Sequence, residues 1–188
     1  MAGNLTAEIR WWWRSGGEAG NLAWIGEVGS GSCEQRTDTY WCLRHPGLGI
    51  KRRGGGSGIE VKSLVSHLSQ TIGGGRAELW SKQCVDEANL PHTSLIEVHK
   101  KRQLRHFRVV AGRAVEAEPA DDPDCQQEYT TVKIGRTTAT TACIEARASI
   151  DDPLANLSPI LALVGPPPLR EDALLASYPA WLAQFARD

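Results

Sequence analysis

Alternation of apolar and polar residues with a period of two runs through most of the chain, the pattern of strands that bury one face. In residues 6–13, Glu8, Arg10 and Trp12 share one side while Ile9, Trp11 and Trp13 share the other. The same division places Lys51 and Arg53 opposite Leu48 and Ile50, and Glu60 and Lys62 opposite Ile59 and Val61. Arg36, Asp38 and Tyr40 share a face, as do Glu78, Trp80 and Lys82. Such runs cover residues 6–13, 36–43, 48–53, 58–65, 76–83, 94–108, 126–134 and 140–148, with Gly, Pro or Asp clusters between them. The pattern predicts about eight strands.

Helical spacing is rarer. It predicts turns in "SLVSHLSQ" (63–70) and "CVDEANL" (84–90), then helices in "DPLANLSPILAL" (152–163) and "REDALLASYPAWLAQF" (170–185). Consecutive prolines in "GPPP" (165–168) separate the last two. A strand-rich region over 1–150 and a helical segment over 151–188, packed on it, make one domain of α+β class. Two architectures fit the alternation. An open or sandwiched sheet would expose its charged face to water; a closed eight-stranded barrel would turn it into a lumen.

Composition removes several classes. Lys and Arg number 21 against 22 Asp and Glu, so no bulk charge points to nucleic acid or a calcium store. No apolar run approaches a membrane span, the first residues lack a secretion signal's apolar core, and five scattered cysteines form no C-x-x-C pair. These features predict free thiols and a cytoplasmic protein. "KRRGGGSG" (51–58) lacks the lysine and helix of a phosphate loop and reads as a hairpin turn. "VHKKRQLRHFR" (98–108) is the strongest basic run, but one basic strand in a nearly neutral chain argues against nucleic acid. There is no paired-histidine metal motif and no G-x-S-x-G elbow.

The order of charged strands, "EIRW", "RTDTYW", "LGIKRRG", "IEVK", "ELWSK", "VHKKRQLR", "EYTTVKI" and "ACIEARA", resembles the CYTH superfamily, the triphosphate tunnel metalloenzymes, over residues 6–148. The resemblance implies an eight-stranded antiparallel β-barrel, a tunnel with a charged lumen, to which C-terminal helices are added. It also implies a small phosphorylated molecule or polyphosphate held by basic side chains, with Mg²⁺ or Mn²⁺ held by carboxylates. By position, Lys51 and Arg53 match the family's paired basic residues, Lys62 the lysine of the next strand, and Lys100 and Arg102 its K-x-R. Glu8 matches the first acid of the N-terminal motif and Glu145 the first acid of the closing E-x-E strand.

Arg10, Arg36 and Arg105 join the expected phosphate ligands, and Arg147 is a further cation to place. Glu8 and Glu145 are the expected catalytic and metal-binding acids, assisted by Glu60, Glu128 or Glu78. The chain departs from the family where Arg10 and Arg147 stand in place of the second acids of the two acidic motifs. A guanidinium among the carboxylates disfavours a divalent cation and favours an anion. Alternation counted from Glu97 and His99 would put Lys101 inside, so the K-x-R match predicts a bulge.

Three functions follow from these residues: a metal-dependent phosphohydrolase, a non-catalytic phosphate-binding relative, and a lipocalin-like barrel for an apolar ligand. The charged faces count against the third. Nothing in the sequence marks an adenine site, which counts against an adenylyl cyclase.

Overall fold

The computed structural model describes residues 4–14, 24–26, 31–54, 56–72, 75–85, 90, 94–168 and 172–185. Strands β1 (Asn4–Arg14), β2 (Ser32–Trp41), β3 (Leu48–Arg53), β4 (Ile59–Ile72), β5 (Gly75–Val85), β6 (Leu95–Val110), β8 (Cys125–Ile134) and β9 (Thr137–Arg147) correspond to the eight expected runs. They pair antiparallel in the order β1-β5-β4-β3-β2-β6-β8-β9, and β9 returns to β1 in a register that runs from Thr6↔Arg147 to Arg14↔Ala139. That last ladder closes the sheet into a barrel and satisfies both its edges.

Among the described residues two short strands lie off this ring. β7 (Arg113–Ala117) forms a hairpin with the end of β6, through Ala111 and Gly112 at positive φ. β10 (Leu174–Leu175) pairs Trp11 and Trp12 where β1 has passed the end of its ladder with β5. Helices α1 (Leu157–Val164) and α2 (Tyr178–Leu182) follow the last barrel strand in the chain.

Some expectations give way here. Residues 63–70 continue β4 as strand, with register shifts against β5 between Leu64 and Ser66 and between His67 and Thr71. The shift changes which residues face in: Leu64 stands opposite Trp80, whereas beyond the shift His67 stands opposite Glu78 and Leu68 joins the outer core. Residues 86–89 of the expected 84–90 turn lie outside the described residues, and 84–85 are strand. The described part of 170–185 is not one helix: β10 comes first, then α2 and a 3₁₀ turn over Ala183–Phe185. No bulge occurs at Lys100, because the ladders of β6 with β2 and β8 run unbroken there. Instead Glu97 and His99 face outward, and Lys101 with them, while Lys100 and Arg102 are buried.

The larger apolar core lies outside the barrel wall. Ile9, Trp11, Trp13, Phe107, Tyr129, Ala142 and Ile144 pack there with Leu157, Ile160 and Leu161 of α1. The opposite face of the same strands buries Trp12, Tyr40, Val98 and Val132 against Tyr178, Trp181 and Leu182 of α2. That second cluster closes one end of the barrel. Trp12 stacks on Trp181 at 4.0 Å between ring centroids, and its Nε1 donates to the Ala176 carbonyl oxygen at 2.8 Å. Gly49 lets α2 approach, since a Cβ there would stand 2.9 Å from Pro179 Cγ.

Trp181→Ala empties this cluster and is expected to cost about 3–5 kcal/mol of unfolding free energy, read by urea denaturation.

Candidate functional site

Closure turns one residue in two of each strand toward the others, and charged side chains recur among them. Cross-strand pairs stand in register: Lys51 faces Glu60, Glu34 faces Arg102, and Glu8 lies between Glu78 and Glu145. Several ion pairs reach over an intervening strand. Lys62 of β4 donates to Glu8 of β1 at 2.5 Å across β5. Lys82 of β5 donates to Glu145 of β9 at 2.6 Å across β1. Arg10 of β1 donates to Glu128 of β8 at 3.0 Å across β9. Contacts that skip a strand require a concave face, where side chains converge.

The remaining pairs complete a network. Arg102 joins Glu128 at 2.5 Å and Glu34 at 2.7 Å. Lys100 donates to Asp38 at 2.7 Å and to the Tyr40 hydroxyl at 2.8 Å, while Lys51 and Arg53 share Glu60 at 2.8 and 2.9 Å. Arg36 lies between Glu34 and Asp38. All of these paired side chains except Glu8, Glu34 and Asp38 line a cavity of about 190 Å³. Past Glu60, Lys82, Gln126 and Glu145 it continues into a more open cavity of about 870 Å³, lined also by Asn4, Cys84, His106 and Asp124.

Burial and charge pull the protonation equilibria in opposite directions. Burial alone would raise the Glu128 pKa, but the Arg102 and Arg10 guanidinium groups hold it well below the ordinary carboxylate range. The same competition, won by Lys51 and Arg53, leaves Glu60 at about 2. Asp38, despite burial, is held low by Lys100. Burial and the Lys51 ammonium push Lys100 well below the usual lysine value, against the pull of Asp38. Burial likewise lowers Lys51, and it raises Glu78 together with the charge of Glu8.

Of the expected phosphate ligands, Arg10, Arg36, Lys51, Arg53, Lys62, Lys100 and Arg102 all line the 190 Å³ cavity. Arg105 does not. It sits on the outer face of β6, bound to Glu116 at 3.0 Å and over the Phe107 ring, because odd-numbered residues of β6 turn away from the barrel axis. Arg147 is exposed and pairs with Asp122.

The expected metal-binding acids Glu8, Glu145, Glu60 and Glu128 are dispersed among the bases just described. Among the described residues no group of three or more His, Cys, Asp or Glu side chains is placed to hold a metal ion. As arranged, this donor set does not fit Mg²⁺ or Mn²⁺, which need several oxygens free of competing ammonium and guanidinium groups.

Sequence reasoning assigned no role to Glu34, Asp38, Lys82 or Tyr178. The alternation signalled the first three, which share faces with Arg36 and Trp80. Nothing signalled Tyr178, which reaches the cavity only because α2 seals the barrel. No protein-family model matches the chain, and no curated protein matches it.

Two expectations follow for the ion network. Glu128→Gln leaves Arg10 and Arg102 buried beside a neutral amide and should cost about 3–5 kcal/mol in chemical denaturation. Folded-state pKa values of Glu60, Glu128 and Asp38 lie below their unfolded values, so their stabilisation is complete above the ordinary value near 4.5 and is lost as pH falls toward 2. These three carboxylates should therefore contribute a progressive drop in melting temperature as pH falls below about 5.

Proposed function

We propose that the protein binds a compact polyanion inside the barrel, a short polyphosphate or a phosphorylated small molecule. The observation that carries this reading is the convergence of Arg10, Arg36, Lys51, Arg53, Lys62, Lys82, Lys100 and Arg102, contributed by six strands, on one cavity of about 190 Å³. Arginine forks suit pairs of phosphoryl oxygens, and lysines add point charges between them. The order of charged strands that resembles the CYTH superfamily supports the same ligand class.

Without the anion these cations are neutralised by carboxylates, so binding is an exchange. A phosphoryl oxygen takes over an ammonium or guanidinium, and the displaced carboxylate turns toward water or toward a remaining base. An anion of a single charge gains little from such an exchange. One with several charges on adjacent groups replaces several carboxylates at once, which selects for di- and triphosphate-like ligands. No metal enters this account. Phosphate release from tripolyphosphate in the presence of Mg²⁺ or Mn²⁺ would move the reading from a binding protein to a phosphohydrolase using Glu8 and Glu145.

Calorimetric titration with tripolyphosphate should give saturable one-to-one binding that weakens with salt. Arg53→Ala and Lys62→Ala should each weaken it about 10- to 100-fold, the effect of losing one charge-assisted hydrogen bond. Equal affinity in wild type and both variants would place the anion elsewhere. Because Lys100 and Lys51 are lowered in the free protein, a bound polyanion raises them and takes up protons. Affinity should therefore increase as pH falls from 9 to 7, and a flat profile would contradict that exchange.

A further inference from the structure

Tyr178 is the one aromatic side chain of α2 that lines the 190 Å³ cavity. Its ring is stacked with that of Tyr40 at 5.6 Å and meets Trp12 edge-on at 4.9 Å. The Lys100 ammonium lies 4.3 Å and the Arg10 guanidinium 5.0 Å from its centroid. The residue is 7% exposed, yet its hydroxyl has no hydrogen-bond partner among the described residues, and neither has the buried Nε of the adjacent Arg10. Burial raises the phenol's pKa although Arg10 pulls the other way, so the group remains a donor at neutral pH.

A buried hydroxyl left unpaired costs stability, and a fold that tolerates one beside two cations holds a donor in reserve. The helix that carries it is firmly seated. Ser177 caps it by accepting from the Ala180 N–H, Trp12 binds the Ala176 carbonyl, and Gly49 makes room for Pro179. This end of the barrel is closed, while the other widens past Glu145 and Lys82 into the 870 Å³ cavity. A ligand entering from the wide end meets Tyr178 last.

We propose that Tyr178 donates a hydrogen bond to the leading phosphoryl group of the bound anion, so that the C-terminal segment completes the site and the ligand is held end-on. This rests on the anion-binding reading above. Its ligand is any molecule presenting a terminal phosphoryl group, inorganic or organic. The segment after β9 thereby acts in recognition as well as packing.

Tyr178→Phe keeps the ring and removes only the hydroxyl. Free of ligand, the variant should melt at the wild-type temperature or above it, because an unsatisfied buried group is gone. Its affinity for tripolyphosphate, and separately for a nucleoside triphosphate, should fall about tenfold. Wild-type binding with undiminished affinity in the variant would overturn the proposal and leave the anion-binding reading standing. A fall in affinity matched by a lower melting temperature would assign the hydroxyl to the packing of α2 and would overturn it too. Absence of tripolyphosphate and nucleotide binding by the wild type would overturn both readings.

Discussion

A charge inside a protein must be paired, because taking it out of water costs far more than any single contact returns. Closing the ladder between β1 and β9 imposes that condition on this chain, since it brings Glu8, Asp38, Glu60, Glu128 and Glu145 inside together with their bases. The apolar residues are correspondingly displaced: the main core lies between the barrel wall and α1, and the second fills the end sealed by α2. An interior of ions stabilises the fold less than a packed apolar one would, and it makes the barrel sensitive to acid. What it provides is a preformed set of donors and acceptors aimed at one cavity.

That arrangement ties function to the cost of folding. Lys100 binds Asp38 and Lys51 shares Glu60 with Arg53 in the free protein, and burial keeps both lysine pKa values low. A polyanion would add negative charge beside both ammonium groups. The unpaired hydroxyl of Tyr178 and Nε of Arg10 lie in the same region. These two groups thus stand beside the candidate ligand residues, while Thr6, Gln103 and His106 carry buried polar atoms without a hydrogen-bond partner among the described residues, outside the 190 Å³ cavity.

Much of the barrel was legible in the sequence because a period of two is a local signal. Glu8 against Ile9, or Lys51 against Ile50, assigns faces without knowledge of neighbours. Where pairing is irregular the signal fails: past Leu64 the register shifts against β5 break the strict alternation, and residues 63–70 read as a helical turn. β10 was invisible because two leucines carry no period, and it exists only where β1 leaves β5 behind. Residues facing the cavity were legible for the same reason as the strands, and Arg105 was misplaced by taking a basic run as a unit rather than counting its alternation. Partners were not legible. Lys62 with Glu8 and Arg10 with Glu128 meet over an intervening strand, a proximity set by curvature and closure. Glu60 and Lys62 share one face of one strand, yet each binds a residue on another strand.

The central claim is that the interior cations, rather than the outer basic residues, receive the anion. Resonances of the lysine side-chain ammonium groups, followed by NMR during titration with tripolyphosphate, test it most directly. Interior binding predicts large changes at Lys51, Lys62, Lys82 and Lys100, which line the cavity, with Lys101 and Lys133 on the outer face unaffected. Changes confined to Lys101 and Lys133, with the four interior lysines unmoved at saturation, would contradict it.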